Sequence, residues 1–254
     1  MFGLIHHLFH PTTCYALCSV ARSGAHLLSG GLRATRLAGR PEQYFHEQLA
    51  HEFAVRYGLD AARHFTSYVR NIVAAAATPN AVFAFRIESW EIERFVARLR
   101  ESGEFDPTDG RDINVLRSAF PRLRCIYLTR QDKVRQAISK ARAMQTNRWV
   151  IDPEKNASGE ATFDPALIEQ CLRSTTRAEA LWSEFFQRNE IEPLSVTYED
   201  LCADYAATVG RVLDFLRIRP PRRFSLGAPT TVRQADATTE EWVARYAALQ
   251  NRSS

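Results

Sequence analysis

Short apolar runs alternate along the chain with longer segments in which apolar residues recur at helical spacing. Four runs have the length and composition of buried strands, and they cover residues 14–20, 81–85, 125–129 and 193–198. Segments of helical periodicity separate them, which is the pattern of repeated β-α-β units. The sequence therefore predicts an α/β fold with a central, mostly parallel sheet flanked by helices.

Two helices are marked most clearly by the pattern. Asp164 followed by Pro165 is typical of an N-cap with proline at the first helical position, and the apolar stripe behind it reaches about Arg188. A second helix is predicted after the fourth strand, with Leu201 and Leu216 near the ends of its apolar face. Both stripes are interpreted as parts of the core.

Length and composition add the class of protein. A chain of 254 residues suits one large α/β domain covering residues 1–254. Apolar residues make up 45% of it, which excludes wholesale disorder. The 33 basic and 29 acidic residues give a net charge of +4, and the basic ones are scattered. This mild excess favours a small anionic ligand and argues against nucleic acid as a partner.

The five cysteines have no CxxC spacing, so reduced core thiols are expected rather than disulfides or a zinc site. The first residues lack both a basic segment and a long apolar stretch, and no run approaches the ~18 apolar residues that a membrane-spanning helix needs. The sequence thus predicts a cytoplasmic protein that does not span a membrane and holds no metal.

Residues 21–24 connect the first predicted strand to a helix that begins near Ala25. Gly24 lets the backbone approach a ligand, and the N–H groups of the first helical turn and the guanidinium of Arg22 favour an anion. The GxxxxGK[ST] motif is absent, which disfavours a phosphate-loop kinase. From these residues alone, a phosphate loop and an ordinary tight turn with a surface arginine are equally good interpretations.

Three segments in order favour the phosphate loop. Residues 18–45 resemble the first motif of the bacterial carbohydrate sulfotransferases typified by trehalose 2-sulfotransferase. Residues 127–149 resemble the 3′-phosphate motif of that family, and residues 233–246 resemble its C-terminal Arg-Gln-Ala segment and Trp-Val-x-Arg-Tyr helix. The resemblance implies a P-loop-like sulfotransferase fold, a homodimer, and 3′-phosphoadenosine 5′-phosphosulfate (PAPS) as the sulfuryl donor without a metal.

The resemblance also implies a role for each motif residue. The 5′-phosphosulfate would be bound by the first loop, namely Arg22, Ser23, Gly24, Ala25 and His26. The 3′-phosphate would be bound by Arg130 and Ser139, and Arg233 and Gln234 of the C-terminal segment would also bind the donor. Arg86 follows the second strand in the place of a family lysine, and with Arg22 it is expected to stabilise charge during transfer. The acceptor would be a hydroxyl of a carbohydrate or glycolipid.

The general base is the least regular part of the resemblance. The family places a glutamate where this chain has Gln43, and an amide does not accept a proton at neutral pH. Pro41 is predicted to begin a helix, which puts Glu47 one turn beyond Gln43. Two other groups could also replace the family glutamate: Glu42, which is adjacent to Gln43, and His46, which would lie one turn from Glu42. We predict that a carboxylate, Glu42 or Glu47, is the base, with Glu42 preferred because it is adjacent.

A second hypothesis stays open beside the enzyme. Gln43, and Ala25 with His26 in place of two family hydroxyls, are what a nucleotide-binding protein with little or no turnover would show. For the enzyme, acceptor-side elements are expected in residues 46–80 and in the polar loops 101–112 and 152–163.

Overall fold

The computed structural model describes residues 11–59, 65–105, 110–149, 159–229 and 237–253. Its centre is a four-stranded parallel sheet in the order β2-β1-β3-β4. The strands are β1 (Thr13–Ser19), β2 (Val82–Glu88), β3 (Arg124–Thr129) and β4 (Leu194–Thr197). They match the four predicted runs, and the α/β prediction is confirmed.

Helices connect the strands and cover the sheet. They are α1 (Ala25–Ala34), α2 (Ala50–Arg56), α3 (Phe65–Ala76), α4 (Ser89–Glu101), α5 (Asp112–Ala119), α6 (Lys133–Thr146), α7 (Pro165–Arg188), α8 (Tyr198–Ala203), α9 (Tyr205–Leu216) and α10 (Ala237–Ser253). The predicted cap of α7 is confirmed, because the side chain of Asp164 accepts a hydrogen bond from the backbone N–H of Leu167 at 3.0 Å.

Both faces of the sheet are buried. On one face Cys14, Ala16 and Cys18 of β1 join a cluster that includes residues of α3, α4 and α7. On the other, Tyr15 and Leu17 join a cluster that includes residues of α1 and α9. Burial on both sides explains why the strands read as continuous apolar runs rather than as alternating ones. Four cysteines are buried and unpaired, namely Cys14, Cys18, Cys125 and Cys171, whereas Cys202 is exposed.

The strand order places a crevice at the carboxyl ends of β1 and β3. The chain runs from β1 outward to β2 and then crosses to β3 on the other side of β1. The loops that leave β1 and β3 therefore diverge, and such a switch point is where open α/β sheets bind their ligands. The first predicted motif leaves β1 here, and the 3′-phosphate motif leaves β3 beside it.

The predicted helix from Pro41 is wrong. Residues 41–49 are not helical, and α2 begins only at Ala50. Glu42 instead forms a parallel bridge with Phe85 of β2, and its carbonyl accepts the backbone N–H of Arg86 at 2.8 Å. The physical reason is that β2 is the edge strand of the sheet, whose unpaired backbone groups are satisfied by the segment that passes along it.

The predicted helix after β4 is two helices. The backbone turns at Asp204, whose φ of −149° is not helical, and its carboxylate caps α9 by accepting the N–H of Ala207 at 2.9 Å. The predicted apolar face is nevertheless buried, with Leu201 on α8 and Val209, Val212 and Leu216 on α9.

Candidate anion-binding site and adjoining cavity

A cavity of about 1930 Å³ opens at the switch point. Pockets for one small ligand usually measure about 300–1,000 Å³, so this cavity has room for a donor and an acceptor together. It brings together most of the residues that the sequence analysis chose: Arg22, Gly24, Ala25, His26, Glu42, Arg86, Arg130 and Ser139.

The loop after β1 has the backbone geometry of an anion site. Gly24 precedes α1 with a φ of +93°, and a Cβ added there would lie 2.7 Å from Cδ2 of Tyr198. Only glycine fits this position without strain. No side chain caps the N-terminus of α1, and the buried hydroxyl of Ser23 has no hydrogen-bond partner within the described residues. The loop thus presents N–H groups, with the positive end of the helix dipole behind them.

Arg22 crosses the crevice to the other motif. Its Nε donates to Oγ of Ser139 at 2.9 Å, and its Nη1 donates to the carbonyl of Trp149 at 2.5 Å. Burial and, to a smaller extent, the charges of Arg130 and Arg142 lower the pKa of Arg22 to about 10. Arg22 was predicted to bind the 5′-phosphosulfate and Ser139 the 3′-phosphate. In the structure the two side chains are hydrogen-bonded to each other.

Arg130 is the other buried cation of this region. Its side chain is almost fully buried, burial lowers its pKa, and its guanidinium carbon lies 4.6 Å from the centre of the Tyr198 ring. Its Nε has no hydrogen-bond partner in the part of the chain that the structure describes. A buried N–H without an acceptor is costly, and an anionic ligand would satisfy it.

The loop after β3 is held by carboxylates from outside the cavity. The side chain of Glu199 accepts the backbone N–H groups of Gln131 and Asp132 at 3.0 and 3.3 Å. Asp132 in turn caps α6 by accepting the N–H of Arg135 at 2.9 Å. These bonds fix the exit of β3, so they set the direction in which Arg130 leaves the sheet.

Arg86 forms a second positive position on the far side of β1. It is only 8% exposed, and burial lowers its pKa even though Glu88, Glu42 and Glu91 oppose this. Its Nη2 donates to Oε1 of Gln43 at 2.6 Å, and its Nε has no partner within the described residues. The residue that replaces the family glutamate therefore orients the arginine that replaces the family lysine.

The two predicted carboxylates differ in position. Glu42 lines the cavity, and its Oε1 lies 2.8 Å from Nη1 of Arg33. Glu47 is not among the cavity residues, and both of its oxygens accept hydrogen bonds from Arg94 at 2.6 and 2.9 Å. Because the helix that would have aligned Glu47 with Gln43 does not form, the structural basis for Glu47 as a base is lost.

Aromatic and acidic side chains lie at the end of the cavity that contains Arg86. Trp90 is 57% exposed, and its indole N–H donates to Oε2 of Glu88 at 3.2 Å. The ring of His46 meets the Trp90 ring edge-on, with centroids 5.5 Å apart. Burial raises the pKa of Glu91, whose carboxylate lies 3.9 Å from Nε2 of His46, to about 7. An exposed indole among hydrogen-bonding side chains is a suitable surface for a sugar ring.

The predicted acceptor-side segments contribute unequally. The cavity is lined by His46, Gln48, Leu49 and residues 159–161. The described residues of 50–80 and of loop 101–112 do not line it. Arg233 and Gln234 lie outside the described residues. Two further cavity residues, Arg142 and Tyr198, had no predicted role. Arg142 could have been found from its position three residues after Ser139 on α6, which puts the two side chains on one face of the helix.

Within the described ranges, no group of three or more His, Cys, Asp or Glu side chains is placed to hold a metal ion. None of the helices that the structure describes is both long and apolar enough to cross a membrane.

A parallel sheet with two arginine-bearing loops at its switch point defines an α/β protein with a cationic crevice at the carboxyl edge of its strands. The sequence profile of the Stf0 sulphotransferases matches residues 14–249. The chain therefore belongs to the Stf0 sulphotransferase family, as the motifs indicated.

Two named relatives cover nearly the whole chain. Trehalose 2-sulfotransferase of Mycolicibacterium smegmatis is 28% identical over 268 aligned positions, which span 93% of this chain and 95% of that protein. Trehalose 2-sulfotransferase of Mycobacterium tuberculosis is 27% identical, over 92% and 94% of the two chains. The solved sulfotransferase domain of the Synechococcus PCC 7002 olefin synthase is a distant likeness, 16% identical over 94% of this chain and 95% of that one, with a TM-score of 0.40.

Proposed function

We propose that this sulfotransferase moves the sulfuryl group of PAPS to a hydroxyl of a carbohydrate. The observation that carries the proposal is the set of unsatisfied buried donors at the switch point. Nε of Arg130, Nε of Arg86 and the hydroxyl of Ser23 are all buried without acceptors among the described residues. Phosphate and sulfate oxygens are the acceptors that such groups bind most strongly.

The proposed division of the cavity follows its charges. Arg22, Arg130 and Ser139 would bind the 3′-phosphate side of the donor, and the α1 loop would bind the 5′-phosphosulfate. Arg86 would stabilise the charge that moves onto the leaving bisphosphate, as fixed cations do in phosphoryl transfer. The acceptor sugar would lie at the Trp90 end, in line with the names of the two mycobacterial relatives. The cytoplasmic location is part of the proposal and rests on the sequence alone.

We expect adenosine 3′,5′-bisphosphate to stabilise the protein against heat, and adenosine 5′-monophosphate to do so much less. A ligand at 100 times its dissociation constant adds about 2.7 kcal/mol to the free energy of unfolding. Differential scanning fluorimetry with both nucleotides measures this. Equal shifts would contradict a 3′-phosphate site. Transfer of labelled sulfate from PAPS to a panel of sugars that includes trehalose then separates the enzyme from a nucleotide-binding protein.

We also expect a homodimer, which the resemblance to the family implies. Multi-angle light scattering at micromolar concentration should give twice the 28.9 kDa of one chain. A mass of one chain at every concentration would contradict it.

A further inference from the structure

If the acceptor lies at the Arg86 end of the cavity, as proposed above, the group that accepts the proton of its hydroxyl must lie there too. Gln43, which contacts Arg86, is an amide and does not take the proton. Three carboxylates also surround Arg86 closely enough to act on its pKa: Glu42, Glu88 and Glu91.

Each of these carboxylates is already engaged. Glu42 pairs with Arg33 at 2.8 Å. Glu88 accepts the indole N–H of Trp90 and the backbone N–H of the third residue of α4, while Glu91 accepts the backbone N–H of Glu88 at 3.0 Å. Taking up a proton at one of these carboxylates would weaken the bonds that it accepts. Glu91, whose pKa burial raises to about 7, does not line the cavity.

His26 differs from all of them. It lies in the first turn of α1, next to the loop that would hold the phosphosulfate, and its side chain is exposed to the cavity. Within the described residues its ring has neither a hydrogen bond nor an ion pair. We propose that His26, rather than Glu42, is the general base of sulfuryl transfer; this inference rests on the proposed function.

The charges around His26 suit this role. Desolvation inside the cavity and the charges of Arg86, Arg22 and Arg33 together lower the pKa of His26 to about 3. An imidazole with this pKa is uncharged at neutral pH, and it becomes an effective proton acceptor only when its pKa rises. A bound donor brings negative charge to the same arginines, which raises the pKa of His26 towards the range in which a base is most effective.

The step balances without another reactant. The acceptor oxygen attacks sulfur while its proton passes to an imidazole nitrogen of His26. The bond between sulfur and the bridging oxygen of the 5′-phosphate breaks, and its electron pair leaves with adenosine 3′,5′-bisphosphate. The imidazolium then lies beside an anionic product and returns its proton to water.

The first test is NMR titration of the histidine rings, with the His26 signal assigned by its loss in His26→Gln. We expect a neutral ring in the free protein down to below pH 5, and a pKa at least one unit higher in the complex with adenosine 3′,5′-bisphosphate. A ring already protonated at pH 7 in that complex would overturn the proposal, because a charged imidazole accepts no proton.

The second test measures sulfate transfer from PAPS to trehalose, and to water when no sugar is added. His26→Gln keeps a hydrogen-bond donor but removes the base, so we expect kcat to fall by about 10²–10⁴ while bisphosphate binding changes less than threefold. His51→Gln, on the exposed face of α2, is the matched control and should match the parent. Binding that falls in parallel with turnover would mean that His26 only anchors the donor, which overturns the proposal.

The experiments distinguish failure of the proposed function from failure of His26 as the base. If the parent protein binds no bisphosphate, the proposed function fails and this inference with it. If the parent binds and transfers sulfate, and Glu42→Gln loses kcat while His26→Gln does not, the proposed function stands. The role of base then returns to Glu42.

Discussion

Replacing Arg86 by methionine should lower kcat by about 10²–10³ and weaken binding of adenosine 3′,5′-bisphosphate by a smaller factor. Arg86 donates to Gln43 and keeps its Nε without an acceptor, so its free donor is available to the charge that develops during transfer. Loss of one such donor in a closed site typically costs this much. Steady-state transfer from PAPS and calorimetric titration of the bisphosphate measure the two quantities.

The stability of the same variant is the control for a purely structural role. Burial lowers the pKa of Arg86, which shows that the folded protein holds this charge at a cost. Methionine fills similar space without a charge, so the melting temperature should stay level or rise. Arg86→Lys keeps the charge and should recover most of kcat. A variant in which Tm and kcat fall together would show that Arg86 serves the fold and not the reaction.

Replacing Arg130 by alanine should weaken binding of adenosine 3′,5′-bisphosphate by about 10- to 150-fold. The reason is the loss of charge-assisted hydrogen bonds worth about 1.5–3 kcal/mol from a guanidinium that the Tyr198 ring holds in place. Adenosine 5′-monophosphate has no 3′-phosphate, so its weaker binding should change little. The preference for the bisphosphate should therefore largely disappear, which isothermal titration calorimetry measures.

Arg173→Ala is the matched control for Arg130. It removes an exposed arginine that pairs with Glu169 within α7, and it should leave both nucleotides unaffected. If Arg130→Ala weakened the two nucleotides equally, Arg130 would act only as part of the general positive field. Unchanged binding would place the 3′-phosphate elsewhere.

The sheet could be predicted from the sequence because its strands are buried on both faces. A strand such as β1 has no polar side to interrupt the apolar run. Helices can be predicted from their capping residues, as α7 can from Asp164. The order of the strands was not predicted, because nothing local in a strand indicates its neighbour in the sheet. Arg22 and Arg130, each predicted directly after a strand, do line one cavity.

What the sequence did not predict depends on contacts between distant residues. Arg22 and Ser139 are 117 positions apart, and nothing local indicates that one donates to the other. Residues 41–45 have the proline and the apolar spacing of a helix, but backbone groups of an edge strand are stronger partners for them than their own turn. The error over Glu47 followed directly from that choice. His26 was predicted to bind the donor and not to act as a base, because its lack of partners among the described residues is visible only in three dimensions.

The segment that runs along β2 contacts both the edge of the sheet and the proposed reaction centre. The carbonyl of residue 42 accepts a hydrogen bond from the edge strand, and the side-chain amide of residue 43 accepts one from Arg86. A substitution that loosens this stretch would uncover a row of backbone donors able to pair with a strand of another molecule. Variants selected there for a new acceptor are therefore expected to differ in aggregation as well as in rate, and screening them by activity in crude lysate would confuse the two.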